Sequence, residues 1–124
     1  MHTLDNIQKE IDHLIKEEWQ STYWSPLSSL ARLTEEVGEL AREINHSYGE
    51  KPKKASEDQG NVGAEMADIL FILASLANSL DIDLETAFAE VMAKYQTRDA
   101  KRWTPSAQTE LASESARVPG NSPQ

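Results

Sequence analysis

Cysteine is absent from the sequence, which removes disulfides, thiolate metal ligands and a thiol nucleophile together. Aromatic residues are scarce, with three Trp, three Tyr and two Phe in 124 residues, so any core must be largely aliphatic. Positive charge is in short supply. Twelve Lys and Arg face 21 Asp and Glu, for a formal net charge of −9. That balance repels polyanions, so nucleic-acid polymers and anionic membrane surfaces are not the expected partners. A phosphate-bearing ligand would need cations or a local basic patch. No unbroken apolar run approaches the roughly 18 residues of a membrane span. The opening "MHTLDNIQKE" lacks the basic-then-apolar order of a secretion signal, and a cytoplasmic protein is expected. Neither strand-like alternation nor an internal repeat is present.

What is present reads as helix. Leu4, Ile7, Ile11, Leu14 and Ile15 recur at helical spacing and predict an amphipathic helix over about 4–20. "TYWSP" breaks it, with Ser25 as N-cap and Pro26 at the first helical position of the next helix. That second helix carries Leu30, Leu33, Val37, Leu40, Ala41 and Ile44 on one stripe and should end near His46. "SYGEKPKKASEDQGN" has no period and reads as a surface loop. A third helix follows over about 62–80, apolar on every side between Ile69 and Ala74. "DID" recaps the chain at Asp83, and a fourth helix over about 84–102 should bury Leu84, Ala87, Phe88, Val91 and Tyr95. The expected fold is all-α, a bundle of about four helices. The length suits one domain with a small core, which homo-oligomerisation would complete. The domain is expected to span residues 1–104, with a small, polar, disordered tail over 105–124.

The acidic residues are patterned. Helix two holds "EEVGE", Glu35 to Glu39, and helix three holds "EMAD", Glu65 to Asp68. Residues three or four apart share a helix face. Glu36 with Glu39, and Glu65 with Asp68, are two pairs that antiparallel packing of the helices would bring together. Facing carboxylates repel, and without compensation their pKa values rise. A hard divalent cation removes the penalty. Mg²⁺ is the usual match for all-oxygen ligands, with Mn²⁺ as a substitute. Each motif has a bland reading as well: a solvated acidic helix face, or acids that complement a helix dipole. Gly38 costs about 1 kcal/mol in a helix interior. Between two proposed ligands it would permit close approach of a neighbouring helix or a substrate, or else be an ordinary small-residue packing contact.

"LTEEVGELAREINHSYGEKPKK", "EMADILFILASLANSLDIDLE" and "KYQTRDAKRW" resemble the MazG-like nucleotide pyrophosphohydrolases, in the short single-domain bacterial branch of the all-α NTP pyrophosphatase superfamily. The resemblance covers about residues 4–104. It implies an all-α bundle that oligomerises as a dimer or tetramer, Mg²⁺ held by the two acidic motifs, and hydrolysis of nucleoside triphosphates to monophosphate and pyrophosphate. By position, Glu36, Glu39, Glu65 and Asp68 match the metal ligands, and Glu35 matches the motif's extra acid. Clearance of surplus or noncanonical nucleotides is the role the resemblance implies.

On chemical grounds a water would attack the α-phosphorus, with Glu35 or Glu36 as proton acceptor. Lys94, Arg98, Lys101 and Arg102 share one face of helix four and are candidate partners for the leaving phosphates, or else solvated cations that favour the helix end. Lys51, Lys53 and Lys54 are loop lysines of the kind that usually only solvate. Trp24 is the first candidate for stacking on a base, followed by Tyr23 and Trp19, whereas Trp103 would pack the end of the bundle. Two alternatives stay open. One is a non-catalytic interaction module with an acidic face. The other is a di-iron carboxylate protein, although a single "ExxH" at Glu43–His46 falls short of the two such motifs it needs.

Overall fold

The computed structural model describes residues 2–54 and 60–98. They form four α-helices in chain order: α1 (Leu4–His13), α2 (Pro26–Tyr48), α3 (Val62–Ser79) and α4 (Leu84–Arg98). No strand occurs among the described residues, and the all-α expectation holds. The chain divides into two compact units, residues 1–87 and 88–124. The first contains α1 to α3 and the first turn of α4. Of the second, residues 88–98 are described, the remainder of α4. Lys101, Arg102, Trp103 and the expected tail lie outside the described residues.

Local chemistry sets the helix starts. Thr3 accepts a hydrogen bond from the Asn6 amide, Ser25 from Ser28 and Asn61 from Ala64, each satisfying a donor the helix leaves open. Pro26 occupies the first turn of α2, as the sequence indicates. Asp83 accepts from the Glu85 and Thr86 amides and caps α4.

The first helix departs from expectation. It does not run unbroken to residue 20. After His13 the chain widens into a π-helical turn, Leu14–Glu18, in which the Trp19 amide donates to the Leu14 carbonyl five residues back. Gln20 then adopts a left-handed conformation, φ 49°, and the Ser21 amide donates to the Ile15 carbonyl. The extra residue in the turn leaves Ile15 buried beside Ile11 and Ala74 and brings Trp19 against Phe71 of α3, ring centroids 6.3 Å apart. Single π-turns of this kind concentrate at functional sites.

Helices α2 and α3 form the most extensive pairing, and they are antiparallel. Glu36 meets the start of α3, whereas Ser29, nearer the start of α2, shares a pocket wall with Ser75, nearer the end of α3. Ser29, Glu36 and Glu43 are the buried residues of α2, spaced by two turns, so the face turned inward is polar. Here the structure corrects the sequence reading. Leu33 and Leu40 are half-buried, but Leu30, Val37, Ala41 and Ile44 are exposed. Periodicity finds the apolar stripe but cannot say that the chain itself leaves it uncovered. The same correction applies to α4. Leu84 and Ala87 are half-buried, Phe88, Val91 and Tyr95 are exposed, and no residue of α4 is buried.

By length and composition α3 could cross a membrane, with 18 residues of mean hydropathy 1.3. Its first turns, however, carry Glu65 and Asp68, and its fully buried Ala74 packs against α1. It reads as the central helix of the bundle. Nothing lies within 4 Å of where a Cβ on Gly38 would project. Among the described residues, no neighbouring helix therefore packs against that glycine.

Candidate active site

Three of the four sequence-predicted carboxylates converge. Glu36 lies at mid-length of α2 and is only 6 % exposed. Glu65 and Asp68 come from the first turns of α3. One oxygen of each falls within 4.8 Å of the other two, close enough for all three to grip one ion. Partial burial raises the Glu65 pKa above its ordinary value, and repulsion from Glu36, Asp68 and Glu39 adds to it. Glu39 thus contributes to the field without joining the converging trio. The donor set is all carboxylate oxygen, the chemistry of a hard divalent cation rather than of zinc, so the residues present fit such an ion.

Glu35 and Glu36 diverge although adjacent. Both are held by Arg32, whose guanidinium ion-pairs with Glu36 Oε1 at 2.8 Å and donates to Glu35 Oε2 at 3.2 Å. Glu35 stays at the exposed rim, whereas Glu36 faces inward. Sequence reading passes over Arg32. Its signal is an arginine three and four residues before two acids, hence on their side of the helix. Glu43 is as buried as Glu36, but it pairs with Lys53 at 3.4 Å, and Gly60 packs so closely that a Cβ there would collide with its carboxylate. Lys53 is therefore committed to the loop. His46 turns Nδ1 toward the Lys51 carbonyl, 3.1 Å away, and is not part of the acid group, which removes the di-iron pattern.

A pocket of about 360 Å³ opens beside the acids. Glu36 and Asp68 form one side of it, Arg32 the rim, and Trp19, Tyr23, Trp24 and Phe71 the aromatic walls, with Ser29 and Ser75 among them. All three aromatic candidates from the sequence line this space. Trp24 is 61 % exposed, open for stacking. Lys94 and Arg98 lie one turn apart and exposed near the end of α4, in the second unit.

Behind the aromatic wall a hydrogen-bonded knot fixes the segment between α1 and α2. Tyr23 donates to Asp12 at 2.5 Å and accepts from Asn78 Nδ2 at 3.0 Å. Lys16 pairs with the same Asp12 at 2.9 Å. Asn78 also donates to the Gln8 carbonyl, and the Gln8 side chain bonds Asn78 Oδ1, the Ile82 carbonyl and the Leu84 amide. The bonds from Tyr23 and Lys16 lower the Asp12 pKa. Burial, with the bond to Asp12 second, pushes the Tyr23 phenol up to about 12. None of these long-range partners is legible in sequence spacing.

Comparison with known proteins places the chain in a family. Residues 24–103 match the family model for the MazG nucleotide pyrophosphohydrolase domain. The uncharacterised protein YpjD of Bacillus subtilis is 57 % identical over 102 residues, covering 82 % of this chain and 91 % of the relative. The crystal structure of B. subtilis YpjD, proposed to be a pyrophosphatase, superimposes with TM-score 0.68 at 55 % identity, over 78 % of this chain and 98 % of that one. The crystal structure of a Bacillus-conserved MazG protein, described as a nucleotide pyrophosphohydrolase, gives TM-score 0.66 at 47 % identity, over 79 % and 94 %. With most of its length matched and its acids gathered beside a pocket, the chain belongs to the MazG nucleotide pyrophosphohydrolase family of hydrolases.

Proposed function

We propose that the protein hydrolyses nucleoside triphosphates to monophosphate and pyrophosphate, with Mg²⁺, or Mn²⁺ in its place, held by Glu36, Glu65 and Asp68. The observation that carries this reading is the convergence of those three carboxylates at the edge of an aromatic-walled pocket. Glu39 reinforces the negative field from one turn along α2. The cation, when bound, supplies charge neutralisation for the polyphosphate and acidifies water.

The chain's own groups do the rest. Trp24, Tyr23 and Trp19 offer faces and edges to a base, and the serine hydroxyls offer neutral hydrogen-bonding partners. Of the two candidate proton acceptors, Glu36 lines the pocket and Glu35 does not, so the proton of the attacking water goes to Glu36. Water attacks the α-phosphorus, and pyrophosphate departs. Lys94 and Arg98 remain proposed partners of the departing phosphates, joined by Lys101 and Arg102. The exposed apolar residues of α2 and α4 support a homodimer or homotetramer, and clearance of unwanted nucleotides in the cytoplasm is the role that fits.

The test is pyrophosphate release from a panel of NTPs and dNTPs, with Mg²⁺ or with chelator. Release that needs Mg²⁺ and falls at least about a hundredfold in Glu65→Gln is expected. No release from any nucleotide would remove the activity. Release indifferent to Glu65→Gln would remove the site.

A further inference from the structure

One basic side chain lines the pocket among the described residues, and no part of the reaction so far uses it. Arg32 stands where the acid trio meets the pocket, ion-paired with Glu36 Oε1 at 2.8 Å and hydrogen-bonded to Glu35 Oε2 at 3.2 Å. Its side chain is 47 % exposed and lines the pocket. A guanidinium keeps its charge at every accessible pH and presents five donors in a planar fork that suits phosphate oxygens.

The two partners of Arg32 do not have the same future. Glu35 is an exposed rim acid, and a pair of this kind is worth little in water. Glu36 belongs to the trio that converges on one point. A divalent cation there would claim its charge and repel a guanidinium 2.8 Å away. Arg32 then loses its best partner at the moment a polyanion arrives alongside it. We propose that Arg32 is a substrate-binding residue that contacts the triphosphate, standing on Glu36 as an internal counter-ion while the site is without cation and substrate. The inference rests on the hydrolase reading above and adds a residue to it.

Geometry separates this role from a merely structural one. If Arg32 served only to aim Glu36, removing it would damage cation binding first. If it is a counter-ion that gives way, its removal leaves cation binding intact or tightens it, and weakens only the phosphate-bearing ligand. The experiment compares wild type, Arg32→Ala and Arg32→Lys. Mn²⁺ binding is followed by its magnetic resonance signal without nucleotide. Binding of a non-hydrolysable α,β-methylene dNTP is followed by calorimetry with Mg²⁺ present.

Arg32→Ala should bind Mn²⁺ at least as tightly as wild type and the analogue about ten- to a hundredfold more weakly. Arg32→Lys, with charge but no fork, should fall between. Analogue binding unchanged in Arg32→Ala would overturn the proposal, and so would parallel losses of Mn²⁺ and analogue. A wild type that binds the analogue but releases no pyrophosphate from dNTPs would sink the hydrolase reading and leave the assignment of Arg32 standing.

Discussion

A single acid behind the pocket's aromatic wall and a trio of acids at its edge are built on opposite terms. On one side Asp12 is saturated. A phenol and an ammonium meet it, Asn78 backs the phenol, and its pKa is lowered. On the other side Glu36, Glu65 and Asp68 press together with Arg32 as the cation bonded to Glu36, and the Glu65 pKa is raised. Acids that serve the fold come with their partners in the chain. Acids that serve a ligand are left short of positive charge, and the fold holds them in place by packing elsewhere.

The contrast can be broken by experiment, and the largest effect should come from cation. Mg²⁺ at about a hundred times its dissociation constant should stabilise the protein by about 2.7 kcal/mol, read as a rise in Tm that vanishes in Glu65→Gln. A Tm indifferent to Mg²⁺ would mean that the trio and Asp12 are not different in kind.

The knot should respond in the opposite manner. Asn78→Ala leaves the Gln8 side chain and the Tyr23 hydroxyl each short of a partner, at a cost of about 1–2 kcal/mol. Denaturant midpoints measured with and without Mg²⁺ should show the same loss. If the cost appeared only with cation, the knot would belong to the site.

The smallest effect sharpens the comparison through pH, without divalent cation. A carboxyl whose folded pKa is raised makes the protein less stable as pH climbs from its ordinary 4.5 through the raised value. A carboxyl whose folded pKa is lowered contributes stability above its ordinary 3.8, lost as pH falls through the lowered value. Stability should therefore improve as pH drops through the raised Glu65 value to its ordinary 4.5 and decline as pH falls from 3.8 through the lowered Asp12 value. Glu65→Gln should flatten the upper limb, and Asp12→Asn should shrink the lower, which Asp83 shares through its own lowered pKa.

Much of this was readable from spacing. Ser25–Pro26 and Asp83 announced the starts of α2 and α4, because capping is settled within a few residues. Glu36, Glu65 and Asp68 were legible because two residues three apart on a helix must aim one way, and charge repulsion demands a reason. Glu39 obeys the same spacing and yet stands outside the trio, since spacing fixes a face and not a distance. The tie between Gln8 and Asn78 joins residues far apart in sequence, and no local pattern encodes it. The π-turn after His13 was hidden because Leu14 and Ile15 satisfy ordinary helical periodicity on their own. The outward stripe on α2 shows the remaining limit: an apolar face is visible in sequence, but what covers it is not.

The buried row Ser29, Glu36 and Glu43 has a consequence for how this chain can change. Deleting one residue between Ser29 and Glu43 would rotate one half of α2 by about 100° against the other. That turn would carry Ser29, Glu36 or Glu43 out of line with the others and bring exposed apolar residues such as Leu30 or Val37 round toward the cleft. The non-helical stretch 49–52 has no helical face to keep in register. Insertions and deletions among descendants should accumulate in that stretch, while the central turns of α2 keep their count.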